Sequence, residues 1–257
     1  MPNADLRVIL QIVSLLGAAL LSFKLLQTGL WRRYPVFFWY FVFRVPDSVW
    51  PLLLNTSSPA YQKVWMLTEP IAWIFHILVV IELFRLVLED HKGIYTLGRW
   101  AMYAALAIAI PISILSLIPH FTIHTPDKTR YMGYEFATAR GIDFSLALFL
   151  LLILFFLSRY PINLSRNVVV HSALYTILFF SEAFAVFLRT FKIVETPTAN
   201  LILISLSCGC TVAWLVLLSP RGEEVQANFP HISPKREKSA LRQLESLNAT
   251  LLKVSGK

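Results

Sequence analysis

Residues 64–88 read VWMLTEPIAWIFHILVVIELFRLVL, an apolar run long enough to cross a bilayer that nevertheless contains Glu69 and His76. A transmembrane helix needs about 20 consecutive, mostly apolar residues. Six further stretches are similar in length and character, so the sequence predicts seven transmembrane helices. The seven predicted spans are 8–30, 36–54, 64–88, 98–119, 142–158, 168–188 and 199–219.

The composition supports the same conclusion. Of 257 residues, 56% are hydrophobic and 15% are charged, whereas a soluble domain has about 45–50% apolar and about 25% charged residues. We therefore expect an all-α, polytopic integral membrane protein in a bacterial inner or plasma membrane. The first apolar run is interpreted as a transmembrane helix and not as a cleavable signal peptide, because no polar domain follows it.

The positive charges predict an orientation. With the N-terminus outside, the connecting segments place nearly equal numbers of basic residues on the two sides, and the seven Lys and Arg residues of the segment 221–257 fall on the inner side. This distribution favours a bundle with its N-terminus out and its C-terminus in. The net charge of +8 suits anionic lipid headgroups, and it does not indicate nucleic-acid binding, because no basic stripe is interleaved with aromatic residues.

The chain divides into a transmembrane domain, 1–220, and a cytosolic tail, 221–257. In the tail, apolar residues recur at spacings of three and four, which predicts a short amphipathic helix. This helix could pack against the membrane or the bundle, form a short coiled coil for self-association, or dock onto a protein partner. The apolar stripe consists of Leu241, Leu244, Leu247, Leu251 and Val254.

Polar residues inside the second and third spans fall on single helical faces. Tyr40, Arg44 and Asp47 have the spacing i, i+4, i+7, and so do Glu69, Trp73 and His76. Ionisable residues within membrane helices are costly and often functional. Arg44 and Asp47 could pair and lock two helices together, or they could belong to a ligand or ion site.

The imidazole and the carboxylate of the third span leave a similar choice. His76 could satisfy a neighbouring carbonyl group, or it could form a proton relay with Glu69. On the predicted orientation the outer half of the bundle contains Arg44, Asp47, Glu69, Asp143, Glu182 and Asn200, and His76 lies deeper than Glu69 by about 10 Å. If their faces converge, they line an outward-facing polar pocket for a small molecule or an ion. Convergence is expected here from depth alone.

Several chemistries are not indicated. His120 and His124 lie between Pro119 and Pro126, and Asp127 follows directly; all three are interpreted as loop residues, so no metal site is expected. The sequence contains no GxSxG, HExxH or P-loop motif, and we do not favour an enzyme. No cofactor is expected. Cys208 and Cys210 lie two residues apart on a helix, where they point to different faces and serve as small packing residues.

Two architectural resemblances bear on function. The seven-helix layout with a helical stripe after the last span resembles the membrane sensor regions that precede bacterial signalling domains. A weak repeat, Arg33-Tyr34-Pro35 with Arg159-Tyr160-Pro161, suggests three helices plus one plus three. That layout is similar to the SWEET transporters, with Trp73 and Asn200 at plausible depths, although the Pro-Gln motif of the related PQ-loop proteins is missing.

These features lead to one hypothesis and two alternatives. The favoured function is a membrane sensor or ligand-binding module that signals through its C-terminal helix to a partner. The first alternative is a small-solute or proton-coupled transporter that uses Arg44, Glu69 and Glu182. The second is a structural subunit of a larger membrane complex, in which the charged residues join helices. The lipid bilayer is the partner common to all three.

Overall fold

The computed structural model describes five main segments, 2–54, 58–88, 141–153, 164–190 and 196–224. Shorter pieces between and after them are also described, namely 96, 98–100, 102–104, 107–108, 111, 138, 242–243, 245–246, 248–250 and 253. Of these described residues, 93% are helical, and none of them belongs to a strand. The predicted all-α class is therefore confirmed.

The helices agree with the predicted apolar stretches to within a few residues at most ends. Six of the seven stretches correspond to a described helix, and the described residues of the fourth, 98–119, are helical as well. The helices are α1 (Pro2–Gln27), α2 (Pro35–Leu53), α3 (Pro59–Val87), α4 (Gly141–Ile153), α5 (Arg166–Thr190), α6 (Thr196–Leu217) and the short α7 (Arg221–Glu224).

Four of these helices are long and apolar enough to cross a membrane, so this is a membrane-embedded protein. They are Leu6–Gln27 of α1, Pro59–Val87 of α3, Arg166–Ala185 of α5 and Thr198–Leu217 of α6. The helix α2 is not among the four, although the sequence predicts a span there. Arg44, Asp47 and the two prolines inside α2 lower the hydropathy of this 19-residue helix.

Large apolar side chains cover the exposed surface of the four membrane-spanning helices. On α1, for example, Leu16 and Phe23 are each more than half exposed. Soluble proteins seldom leave so continuous an apolar surface open to water. The exposed apolar residues of α1 and α6 are Leu6, Val8, Ile9, Ile12, Val13, Leu16, Leu20, Phe23, Leu26, Ile202, Leu206, Val212, Val216 and Leu217.

The chain forms two compact units. Unit 1 comprises Met1–Val79 and Phe184–Gly222, and unit 2 comprises Val80–Ala183 and Glu223–Lys257. The boundaries between the units fall within α3, after Val79, and within α5, after Ala183. Each unit has its own core, and the two are described separately below.

In unit 1, α1 and α6 pack side by side and run in the same direction. The Cys208 thiol donates to the Leu10 carbonyl at 3.2 Å near the start of α1, and the Lys24 ammonium donates to the Leu215 carbonyl at 2.5 Å near its end. Lys24 also satisfies a carbonyl in the last turn of α6, where no helical N–H is available.

Aromatic packing joins α2 to α6 in the same unit. The ring of Trp214, only 1% exposed, lies 5.4 Å from Phe37 and 5.7 Å from Phe41, edge to face in both cases. Edge-to-face pairs add to the free energy of simple burial. The core of unit 1 is therefore an aromatic cluster at the start of α2.

Unit 2 has a core with an unusual polar content. On α5, the side chains of Asn167, His171 and Tyr175 are at most 1% exposed. The rings of Tyr175 and Phe179 stack at 5.4 Å. Since these residues recur about every four positions, α5 presents a buried, partly polar stripe to the interior of unit 2.

Gly17 tests the α1–α6 contact. A Cβ atom at this position would lie 3.0 Å from Thr211 Cγ2, whereas a Cβ at Gly209 would meet nothing within 4 Å. We expect Gly17→Val to lower the free energy of unfolding by about 1–3 kcal/mol through overpacking. Gly209→Val is the matched control and should leave thermal unfolding in detergent far less affected. Equal losses for the two variants would contradict the close approach of α1 and α6.

Candidate functional site

A hydrogen bond between α2 and α3 brings together the two polar faces predicted from the sequence. Tyr40 Oη lies 3.3 Å from His76 Nε2, and the two rings meet edge to face at 5.5 Å. Both side chains are buried, Tyr40 to 5% and His76 to 7% exposure. The first residue of one predicted face thus contacts the last residue of the other.

Aromatic contacts define how α2 and α3 are aligned. The rings of Phe43 and Phe75 stack at 5.4 Å, and farther along α2 the ring of Trp50 lies 4.6 Å from Tyr61. As the chain advances along α2, the contacts move backwards along α3, so the two helices are antiparallel. Arg44 and Asp47 therefore lie on α2 between two points of contact with α3.

The charges of α2 are paired within the helix. Arg44 Nη1 donates to Asp47 Oδ2 at 2.7 Å, and the side chains are 29% and 14% exposed. Trp50 Nε1 donates to the other carboxylate oxygen of Asp47 at 3.2 Å. The predicted pairing of Arg44 with Asp47 is thus present. The pair lies within one helix, so this contact does not by itself join two helices.

Glu69 and Trp73 share a helical face with His76. Since His76 contacts α2, that face is the side of α3 directed at α2, and both residues are half-buried. The Trp73 indole N–H is buried and has no hydrogen-bond partner among the described residues. We use the term α2–α3 polar face for Tyr40, Arg44, Asp47, Glu69, Trp73 and His76.

Prolines add backbone acceptors near this face. The helices α2 and α3 continue through Pro46, Pro51 and Pro70, and proline has no N–H to donate to the carbonyl four residues earlier. The carbonyls of Val42, Asp47 and Met66 therefore lack their usual helical donor. A bound polar group could use such a carbonyl as an acceptor.

Three further predicted site residues lie elsewhere. Asn200 is half-buried on α6 in unit 1. Asp143 on α4 and Glu182 on α5 belong to unit 2, and each contributes a carboxylate oxygen within 4.8 Å of the other's. Asp143 is buried to 5% exposure. The sequence predicted only that these two acidic residues lie at a similar depth in the membrane; the structure shows that they are close in space.

Several predictions concern residues outside the described part of the chain. They are His120, His124 and Asp127 of the long loop, Arg159-Tyr160-Pro161 of the suggested repeat, and Leu241, Leu244, Leu247, Leu251 and Val254 of the tail stripe. The described tail residues between those leucines are helical. Cys208 and Cys210 are both buried and not joined by a disulfide.

Two contacts of interest were not predicted from the sequence. The Trp50 indole donates to Asp47, a contact that its position three residues after Asp47 could have suggested. Asn167 Nδ2 donates to Glu223 Oε1 at 2.5 Å, which links the start of α5 to the chain directly after α6. No sequence signal indicates a contact between residues so far apart along the chain.

Comparisons with protein families, with curated proteins and with solved structures find no match for this chain. The geometry of the described residues is therefore what bears on its function.

Asp47 tests the organisation of the α2–α3 polar face. Asp47→Ala removes the acceptor of both Arg44 and Trp50, and we expect the free energy of unfolding to fall by about 1.5–3 kcal/mol. Asp47→Asn keeps an acceptor for Trp50 and should cost less. Combined with Arg44→Gln, Asp47→Ala should cost less than the sum of the two single changes. Purely additive losses in thermal unfolding would show that the two side chains do not interact.

Proposed function

We propose that this protein is a membrane sensor, a ligand-binding module whose α2–α3 polar face binds a small polar molecule. The observation that carries the proposal is the hydrogen bond between Tyr40 and His76. It brings two faces that contain both charges and hydrogen-bonding aromatics onto the same interface. Buried polar residues within membrane helices are costly to retain unless they serve a purpose.

The functional groups of this face suggest the class of ligand. Arg44 offers a guanidinium for a carboxylate, and Asp47 and Glu69 offer carboxylates for an amine. Trp73 offers an aromatic surface and a buried N–H donor. A small zwitterion such as an amino acid would meet a partner for each of its charges. The 29% exposure of the Arg44 side chain leaves its guanidinium within reach of such a ligand.

The tail provides the route for signalling in this proposal. The hydrogen bond from Asn167 to Glu223 couples the segment after α6 to the buried start of α5, so that a movement of α5 would be transmitted to the tail. The proposal includes seven transmembrane helices in a bacterial plasma membrane, the N-terminus outside and the tail inside. The leucine stripe of the tail would then contact a cytosolic partner or a second copy.

A thermal-unfolding screen tests ligand binding. The full-length protein in detergent is exposed to amino acids, to carboxylates without an amine, to amines without a carboxylate and to neutral sugars. A ligand that binds the folded state at 100 times its Kd stabilises it by about 2.7 kcal/mol. We expect amino acids to raise Tm in the wild type and to raise it much less in Arg44→Gln.

Ser205→Ala is the control for this screen, because Ser205 is exposed on α6 and its hydroxyl donates to the Leu201 carbonyl of the same helix. It should respond to amino acids as the wild type does. The proposal fails if no compound stabilises the wild type, or if Arg44→Gln and Ser205→Ala respond equally.

A proton-coupled transporter is a second candidate, favoured by the closeness of Asp143 and Glu182. Two negative charges at this separation repel each other where water is scarce, so a single shared proton or a cation would stabilise the pair. In proteoliposomes with an internal pH dye, solute uptake should carry protons in the wild type. Asp143→Asn should abolish this proton movement, and Glu224→Gln, an exposed acid in α7, should not. Uptake without proton movement would exclude this candidate.

A further inference from the structure

Three exposed side chains follow one another where α1 ends and α2 begins. They are Trp31, Arg32 and Arg33, and we call this group the α1–α2 corner. Gly29 allows the sharp turn, since its φ of 72° lies in the left-handed region. A 3-10 turn over Leu30–Arg32 then directs the chain into α2.

The corner is a built structure. Leu30 is buried beneath it, with 5% of its surface exposed. The Arg32 guanidinium lies over the Trp31 ring at 5.6 Å, and the Trp31 ring lies 6.3 Å from Phe38 of α2. The cation–π contact holds the indole and the guanidinium together at one exposed position.

The corner follows directly after the apolar span of α1, where lipid headgroups are expected to begin. The apolar span of α1 ends at Gln27, only a few residues before Trp31. Tryptophan and arginine are the residue types that prefer the boundary between hydrocarbon and water. A second exposed tryptophan, Trp39, is 58% exposed on α2 and extends the aromatic surface into the apolar layer.

The charge around the corner is uniformly positive along the chain. No acidic residue occurs between Asp5 and Asp47, while Lys24, Arg32 and Arg33 fall in that interval. Basic side chains at the membrane surface attract anionic lipid, each contributing about 1 kcal/mol.

We infer that the α1–α2 corner is a binding site for the headgroup of an anionic phospholipid, with Arg32 and Arg33 on the phosphate and Trp31 on the glycerol and upper acyl chains. Zwitterionic lipid would bind more weakly there, because its amine offsets the phosphate charge. This site is independent of the α2–α3 polar face and of the ligand proposed for it.

Native mass spectrometry of the full-length protein tests this inference. The delipidated protein in detergent is titrated with phosphatidylglycerol and, separately, with phosphatidylcholine. We expect the wild type to prefer phosphatidylglycerol. Losing the charge of one arginine should weaken its binding about fivefold, and Arg32→Gln with Arg33→Gln should weaken it about 25-fold. Lys63→Gln is the matched control, since Lys63 is an exposed cation on α3 near the opposite end of α2.

Two further measurements accompany this titration, one with a charge-preserving variant and one with inorganic phosphate as a competitor. Arg32→Lys with Arg33→Lys keeps both charges and should retain most of the binding, which separates loss of the site from loss of the fold. Inorganic phosphate should displace phosphatidylglycerol no better than chloride of equal ionic strength. Equal binding of the two lipids, an unaffected double Gln variant, or specific displacement by phosphate would each overturn the proposal.

Discussion

The hydrogen bond between Tyr40 and His76 determines which faces of α2 and α3 meet, and the candidate site depends on that choice. In a hydrocarbon setting no water can satisfy a hydroxyl or an imidazole, so each needs a partner within the protein. Pairing one with the other aligns the remaining members of each face, because residues at i, i+4 and i+7 lie on the same side of a helix. This alignment brings four further side chains to the interface of the two helices, namely Arg44, Asp47, Glu69 and Trp73.

The charged residues of α2 also need partners within the protein, and they find them within the same helix. Arg44 and Asp47 neutralise each other one turn apart, and Trp50 bonds to the same carboxylate. A charged pair that is satisfied within its own helix requires no particular neighbour, so the surrounding helices remain free to form a binding surface around it. This local pairing explains how α2 keeps charged residues between apolar neighbours.

Much of this architecture could be predicted from the sequence, because a bilayer reduces helix prediction to length and apolarity. The ends of α2 and α6 fall within three residues of the predicted limits. Helical periodicity likewise identified the faces that carry Tyr40 and His76. Which face meets which could not be predicted, since periodicity describes one helix at a time. The contact of Asn167 with Glu223 arises only when the chain folds, and no local spacing encodes it.

A double-mutant cycle on Tyr40→Phe and His76→Leu tests most directly whether these two side chains hold the polar faces of α2 and α3 together. Both changes keep the approximate side-chain volume, so the coupling reports the hydrogen bond and not a cavity. The account predicts a coupling free energy of about 0.5–1.5 kcal/mol in the unfolding of the full-length protein. Strictly additive effects of the two substitutions would contradict it.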